Sequence, residues 1–393
     1  MTLDRRTLIT GGAGAVVGAA AGAGGVVALP EKAAALSEQA AGKAAGDVGS
    51  GTVAFHGPRQ AGVTTEPPAH AAFVAFTLPA GTDRRALGRM MRLLSDDAAR
   101  LTRGEPALGD TDAALAALPA RLTITFGFGP GLYTAAGVRP PIADLPAFRI
   151  DRLEPRWSGG DLLLQICADD PLTVTHAQRM LIKDARPFAA VRWVQTGFRR
   201  SPGAQPAGFT QRNVLGQLDG TANPTGAVMD TAVWARDGST TLVVRRIRAE
   251  IEKWDLLSVA DKENAAGRRM ATGAPLSGHL EHDEPDFAKL GDGGLPVMPD
   301  YAHVTRAHVI DPALKILRRP YNFDGAPNAS GQPDSGLIFA SFQADITRQY
   351  VPIQSRLAEK DLLNEWITPI GSAVFAIPPG CAEGGWIGAE VLG

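Results

Sequence analysis

The chain has 393 residues, of which 45% are hydrophobic and 20% charged, so wholesale disorder is excluded and two or three domains, or one large one, are expected. Its net charge of −2 at pH 7 argues against nucleic-acid binding, because proteins that bind nucleic acids normally carry a basic stripe. Two cysteines, Cys167 and Cys381, exclude a disulfide scaffold and lie too far apart for a C-x-x-C pair, which leaves one disulfide or two buried thiols open.

Residues 1–35 have the features of an export signal. Adjacent Arg5 and Arg6 precede an Ala/Gly/Val-rich run, and small residues that suit cleavage follow it. The paired arginines resemble a twin-arginine (Tat) signal, which predicts the Tat machinery as a partner and an extracellular, cell-envelope or periplasmic location. A membrane anchor is the alternative, which the scarcity of Leu and Ile disfavours. Residues 36–52, rich in Ala, Gly, Ser and Lys, predict a linker.

Strand and helix patterns alternate over residues 53–205. Compact apolar or β-branched runs predict strands, and apolar residues at helical spacing predict helices. The order is strand 71–78, helix 83–101, strand 122–128, strand 161–168, helix 171–183 and strand 191–198. This β-α-β-β-α-β order is typical of a split βαβ, ferredoxin-like unit.

A similar alternation of strand and helix patterns occurs over residues 206–393. The predicted elements are strands at 241–247, 336–342 and 372–378, with helical patterns from 250 onward and from 346 to 366. We therefore predict an α+β protein of two ferredoxin-like halves with antiparallel sheets, 53–205 and 206–393. The sequence leaves homo-oligomerisation open.

Residues 216–224 (Gly-Gln-Leu-Asp-Gly-Thr-Ala-Asn-Pro) are the most informative stretch. Two glycines bracket Asp219, and glycine lets a ligand approach the main chain closely. The following Asn-Pro biases the backbone out of the helical region. The segment is suited to hold one carboxylate against a large flat ligand, and a surface turn with a solvated Asp is the alternative.

A second stretch contains His303 and His308, followed by Arg318 and Arg319. Histidines five residues apart do not form a helical i, i+4 chelate, and a lone histidine is more often structural than a ligand. Paired arginines usually form a solvated face. These residues acquire a chemical meaning only in combination with Asp219.

Together these segments resemble the dye-decolorizing peroxidases, haem enzymes built from two ferredoxin-like halves. The resemblance covers the chain from about Phe55 to its end. It rests on seven motifs in the family's order: F-H-G-x-x-Q-A-G at 55–62, T-F-G-F-G at 125–129, L-L-Q-I-C-A at 163–168, G-x-x-D-G-T-x-N at 216–223, A-H-V at 302–304, I-L-R-R at 316–319 and P-I-G at 369–371. The Tat-like leader is typical of the branch that includes deferrochelatase-type members.

The resemblance implies a haem b in the C-terminal half with His303 as the proximal iron ligand, and His308 as the alternative ligand. A carboxylate should orient the proximal ring, and Asp361 and Glu365 are both open for that role. The chain has no C-x-x-C-H sequence, so covalent attachment of a c-type haem is excluded.

On the opposite haem face, the resemblance implies that Asp219 relays a proton between the two peroxide oxygens and that Arg318 stabilises the departing oxygen. Arg319 would meet a haem propionate or solvent. The remaining residues implied to contact the cofactor or form its apolar wall are Gly220, Thr221, Leu337 and Phe339.

The implied activity is reduction of hydrogen peroxide, through a ferryl intermediate, at the expense of dyes, phenolics or other small one-electron donors. A haem- or iron-handling protein similar to the deferrochelatases is the alternative. A carboxyl group with an ordinary pKa of about 3.9 acts as a base only when ionised, and it is a poor base at neutral pH unless desolvation raises that pKa. With Asp219 as the base, we therefore predict an acidic optimum for dye turnover.

Two further expectations concern electron transfer and a rival chemistry. Large dyes cannot reach a buried haem edge, so electrons would hop through a Trp or Tyr, although most of these residues are expected to pack in the core. The pool comprises Trp157, Trp193, Trp234, Trp254, Trp366, Trp386, Tyr133, Tyr321 and Tyr350. A zinc hydrolase using the H-L-E-H-D sequence at 279–283 is the rival reading, although the motif is not H-E-x-x-H.

Overall fold

A computed structural model describes residues 48–205, 209–327 and 331–393. The export signal predicted at 1–35 and most of the linker predicted at 36–52 lie outside these ranges. Within them, no helix is both long enough and apolar enough to cross a membrane.

The predicted strands and helices recur in the structure with small shifts at their ends. The strands of the described residues are β1 His70–Thr77, β2 Thr123–Phe128, β3 Leu162–Ala168, β4 Ala190–Phe198, β5 Thr240–Ala249, β6 Leu317–Arg318, β7 Tyr321–Gly325, β8 Asp334–Gln343 and β9 Ile367–Ile377. Their α-helices are α1 Arg84–Thr102, α2 Pro130–Ala135, α3 Pro171–Ala185, α4 Gly226–Val233, α5 Ile251–Asp255, α6 Val259–Ala266, α7 His303–Ala307, α8 Tyr350–Lys360 and α9 Ala389–Leu392.

The two long N-terminal helices begin where their sequences provide caps. The Asp83 carboxylate accepts a hydrogen bond from the amide of Ala86 at the start of α1, and Asp170 does the same for Thr173 at the start of α3. The apolar face predicted for α1 is buried on the sheet, as the 3.6-residue spacing requires.

The sheet differs from the prediction of two halves with sheets of their own. All nine strands form one antiparallel sheet in the order β5-β9-β2-β3-β1-β4-β7-β8-β6, and an additional β5–β8 pairing closes it into a barrel. The first four strands join the last five through the pairs Phe128↔Ala376 and Phe198↔Asn322. Closure leaves few strand edges open to solvent or to another chain.

Alternation along β5 separates the barrel interior from a second compartment. Leu242 and Val244 point into the barrel core, whereas Val243 packs with Tyr350 and Ile353 of α8 outside it. Successive side chains of a strand point to opposite faces of the sheet. The C-terminal part of the sheet therefore has a helix-covered outer face, and the cavity described next lies there.

Candidate active site

A cavity of about 600 Å³ lies between the outer face of β5 and β8, the helices α7 and α8 and the turn around Asp219. His303, Asp219 and Arg318, which lie far apart in sequence, all line it. Apolar side chains, including Leu337, Phe339 and Ile353, make up much of the remaining wall. A largely apolar cavity with a few convergent polar groups is the usual form of a cofactor site.

His303 is the first residue of α7, and its ring is held from behind by Asp361. The His303 Nδ1 atom lies 2.7 Å from Asp361 Oδ2, and Asp361 Oδ1 accepts a second hydrogen bond from the amide of Leu363. Asp361 is 5% exposed, whereas Glu365 is exposed to solvent. The structure thus selects Asp361 as the carboxylate partner and leaves Nε2 of His303 as the ring nitrogen available to a ligand.

The environment of His303 acts on its pKa in two directions. Burial lowers the pKa of the imidazole, and the charge and hydrogen bond of Asp361 raise it by more, so its pKa lies above the ordinary value. The charges of Arg318 and Asp219 also act on the ring. A basic imidazole oriented by a carboxylate is a strong metal ligand.

Asp219 and Arg318 form an ion pair on the cavity wall. Arg318 Nη1 donates to Asp219 Oδ1 at 3.0 Å, and the side chains are 23% and 11% exposed for Arg318 and Asp219 respectively. The Asp219 amide donates to the carbonyl of Gln211, which fixes the turn. A carboxylate and a guanidinium therefore face the same enclosed space.

Asn223 explains why the turn and the Arg318 strand stay together. Its Oδ1 accepts from the Arg318 amide at 3.0 Å, and its Nδ2 donates to the Arg318 carbonyl at 2.7 Å. The side-chain amide thereby pairs with the backbone of Arg318 as a neighbouring strand would. The sequence reasoning used this asparagine only for the backbone bias of Asn-Pro and gave its side chain no role.

Of the other residues predicted to contact the cofactor, three line the cavity and one does not. Thr221 lines the cavity with Leu337 and Phe339, and so does His308, whose ring packs 4.8 Å from that of Phe287. Gly220 does not line the cavity but supplies the positive φ of 139° that the turn requires.

The position of Arg319 contradicts the prediction that this residue meets a haem propionate or solvent. It is 2% exposed and donates to the carbonyl of Thr65. Arg318 and Arg319 are consecutive in an extended segment, so their side chains leave opposite faces of the sheet. Arg318 points to the cavity, and Arg319 points into the barrel beside Cys167.

Four cationic residues that the sequence reasoning missed also line the cavity: Arg245, Arg268, Arg269 and Lys315. Arg245 is 1% exposed and is paired with Asp151. A charged residue inside the apolar strand Leu242–Ile247 was the available signal, because a buried charge needs a partner. Burial and the nearby Arg318 lower the pKa of Arg268, which donates to the carbonyls of Gly273 and Glu281.

The structure also decides several alternatives. Cys167 and Cys381 are both free thiols, the first buried and the second half-buried. Seven of the nine pooled aromatic residues are buried, and Trp157 and Trp366 are half-buried, so core packing accounts for most of them. Tyr301, which the pool omitted, is 37% exposed.

The zinc reading of residues 279–283 finds no support. His282 is 70% exposed, and the Glu281 oxygen that lies 3.9 Å from it accepts a hydrogen bond from Thr221. Across the part of the chain that the structure describes, no three His, Cys, Asp or Glu side chains are grouped to hold a metal ion.

Two family models match this chain. The model described as "Dyp-type peroxidase, N-terminal" matches residues 60–199, and "Dyp-type peroxidase, C-terminal" matches residues 210–382. The chain belongs to the Dyp-type peroxidase family. Among curated relatives, a dye-decolorizing peroxidase of Thermobifida fusca is 38% identical, covering 79% of this chain and 77% of the relative. A deferrochelatase of Escherichia coli K12 is 32% identical, covering 84% of each chain.

Solved structures of DyP-type peroxidases share the fold. The enzyme from Cellulomonas bogoriensis is 47% identical with a TM-score of 0.85, covering 88% of this chain and 99% of its own. The enzyme from Streptomyces coelicolor is 40% identical with the same TM-score, covering 88% and 98%. The motif resemblance seen in the sequence is thus confirmed at the level of the family.

Proposed function

We propose that this Dyp-type peroxidase binds haem b non-covalently in the cavity, with His303 as the iron ligand, and reduces hydrogen peroxide with electrons from dyes, phenolics or other small donors. The observation that carries the proposal is one cavity lined by a carboxylate-backed imidazole and by the Asp219–Arg318 ion pair. An iron ligand and a peroxide-cleaving pair are the two parts that the reaction needs.

The residues present fit a haem. Nδ1 of His303 is occupied by Asp361, so its Nε2 is the nitrogen that an iron ion would take. The wall is rich in apolar side chains such as Phe339 and Ile316, which suit a porphyrin face. Arg268 and Lys315 on the same wall provide positive charge for its two carboxylates.

The chain's own residues then have distinct roles. Haem, when bound, supplies a redox-active iron. Asp219 accepts the proton of the near peroxide oxygen and returns it to the far oxygen, which leaves as water. Arg318 holds the Asp219 carboxylate and stabilises the negative charge that builds up as the O–O bond breaks. Asp361 keeps the His303 ring in its orientation.

The substitution Asp219→Asn tests this assignment. The amide keeps the shape of the side chain and cannot accept the proton, so we expect peroxide cleavage to slow by at least about 100-fold, with the haem spectrum unchanged. Stopped-flow absorbance after mixing with peroxide measures the rate. An unchanged rate would remove Asp219 from the mechanism.

A haem- or iron-handling function similar to that of the deferrochelatases is the second candidate, because one such relative matches 84% of the chain. That function would need His303 and would have no need of the Asp219–Arg318 pair. The Asp219→Asn variant separates the two functions. If it releases iron from haem as fast as the wild type while its peroxidase rate falls, the wild-type protein has both activities.

We further propose that each half of the barrel is a ferredoxin-like unit, with boundaries at 53–205 and 206–393. The pairings β2-β3-β1-β4 and β7-β8-β5-β9 support this division, since each set has the order of a split βαβ unit.

Export by a Tat-like route is also a proposal, supported by the adjacent Arg5 and Arg6 ahead of an apolar run. Replacing both arginines with lysine keeps the charge and should abolish export of the full chain. Cell fractionation measures the outcome, and unimpaired export of the double variant would contradict it.

A further inference from the structure

The loop at 279–283 contains two histidines and two carboxylates. None of them has a role in the peroxide cleavage proposed above. Thr221 Oγ1 donates to Glu281 Oε1 at 2.9 Å. The Nε2 atom of His282 lies 3.9 Å from the same oxygen, and its side chain is 70% exposed against 19% for Glu281. From solvent inward, the order is therefore an exposed imidazole, a mostly buried carboxylate and a hydroxyl group on the cavity wall.

The proposed reaction needs a route of this kind. Reduction of one hydrogen peroxide to two waters consumes two electrons and two protons. Asp219 gives to the far oxygen the proton that it takes from the near one, so it contributes neither of these two protons. Reductants too large for the cavity deliver electrons through the protein, and the protons must then arrive from solvent by a separate route.

We propose that His282, Glu281 and Thr221 form the proton route from solvent to the Asp219 side of the cavity, an inference that rests on the proposed peroxidase function. A proton taken up from solvent, directly or through His282, passes to the Glu281 carboxylate. Protonated Glu281 gives its proton to Thr221 Oγ1 and returns to the carboxylate, while Thr221 releases its own hydroxyl proton to the peroxide-derived oxygen that becomes the second water. A hydroxyl group both donates and accepts, and an imidazole exchanges protons near neutral pH.

The surroundings hold the loop that carries the carboxylate in place and put a positive charge beside it. Arg268 Nη1 donates to the backbone carbonyl of Glu281 at 2.7 Å and to that of Gly273 at 2.6 Å, which ties the loop to the cavity wall. The Arg268 charge attracts both Glu281 and Glu284. Thr221 lies two residues beyond Asp219 on the same turn, and both residues line the cavity.

The test uses full-length protein loaded with haem and compares Glu281→Gln with Glu284→Gln. Both variants lose one carboxylate from the same loop, but only the first loses the group bonded to Thr221. Stopped-flow absorbance measures the peroxide reaction and, separately, reduction by ferrocyanide, which supplies electrons without protons. Thermal unfolding of each variant reports on structure.

We expect Glu281→Gln to leave the peroxide reaction and the unfolding temperature unchanged and to slow reduction by ferrocyanide by about 100-fold. Added formate, a small proton carrier, should restore the rate, and Thr221→Val should also slow reduction by ferrocyanide. Glu284→Gln should behave as wild type.

Two results would overturn the route. The first is an equal rate of reduction by ferrocyanide for Glu281→Gln and Glu284→Gln. The second is a loss in both reactions that formate does not restore, which would make Glu281 a structural residue of the turn. A wild-type protein that binds no haem would refute the peroxidase proposal itself, and that failure is visible before any variant is made.

Discussion

At the scale of single residues, the spacing of the sequence could not choose between Asp361 and Glu365, because both follow α8 within one short segment. The choice depends on the fold: Asp361 begins the 3-10 turn Leu362–Glu365 and points back to His303, while Glu365 ends that turn in solvent. A partner that is 58 residues from its histidine is a tertiary contact, which local patterns do not encode.

The pair predicts a contrast between two conservative variants. Asp361→Asn removes the charge that orients and strengthens His303, so we expect haem affinity to fall by about 10- to 100-fold. Glu365→Gln changes an exposed side chain and should leave affinity unchanged. Titration with haem, followed at the Soret band, measures both, and equal affinities would show that Asp361 has no influence on the ligand.

Asn223 leads to a second prediction at this scale. Asn223→Ala removes both hydrogen bonds to the Arg318 backbone, so Arg318 should lose its register with Asp219. Peroxide cleavage should then slow by roughly 5- to 150-fold, the equivalent of about 1–3 kcal/mol. Haem binding should persist because His303 is not involved. Asn223→Asp keeps the acceptor for the Arg318 amide and should retain an intermediate rate in the same stopped-flow assay.

At the scale of elements, the helices and strands were predictable because periodicity, caps and β-branched runs agree along the chain. The pattern extends helix α1 over 83–101, and the structure has it at Arg84–Thr102. The direction of the side chains could also be predicted from the sequence, because alternation in an extended segment sends Arg318 and Arg319 to opposite faces. The prediction for Arg319 was wrong because it placed this side chain against the haem or in solvent and did not apply that alternation.

The packing of α1 against α3 carries a pH dependence. Asp97 of α1 is fully buried, and its carboxyl group interacts with that of Asp184 in α3. The Oδ2 atom of each residue is buried and has no other hydrogen-bond partner. Burial first, and then the Asp97 carboxyl, raise the pKa of Asp184 from 3.8 to about 7. The folded state therefore binds a proton that the unfolded state has already lost between these two values.

The stabilising effect of that proton is fully present below pH 3.8 and is lost as the pH rises through about 7. We expect the free energy of unfolding, measured with urea, to decrease between about pH 4 and pH 7 and to level off at higher pH. Asp184→Asn should flatten this dependence, since an amide donates to Asp97 at every pH. A variant with the wild-type slope would show that the pair does not titrate in this range.

At the scale of the whole molecule, closure of the sheet was beyond the reach of sequence patterns. The two halves of the sheet are joined by single residue pairs between distant strands, Phe128↔Ala376 and Phe198↔Asn322, and such short pairings leave no periodic signal. The barrel core nevertheless depends on them, because it contains Phe73 and Trp193 from the first half and Phe342 and Phe375 from the second.

A shared core predicts that the halves do not fold independently. A fragment covering 48–205 would expose the inner faces of β1, β3 and β4, so we expect no cooperative thermal transition from it. The complete chain should show one transition common to both halves. Circular dichroism and tryptophan fluorescence measure this, and a fragment that melts sharply near the temperature of the complete chain would contradict the shared core.

The central claim is that one cavity brings an iron-binding imidazole and a peroxide-cleaving pair to the same haem. The most direct measurement is the absorption spectrum of the purified protein titrated with haem and then mixed with peroxide, beside a His303→Ala variant. We predict a Soret band that saturates at one haem per chain and changes with peroxide, and the loss of the ligand's spectral signature in the variant. A protein that takes up no haem, or a variant with the wild-type spectrum, would contradict the account.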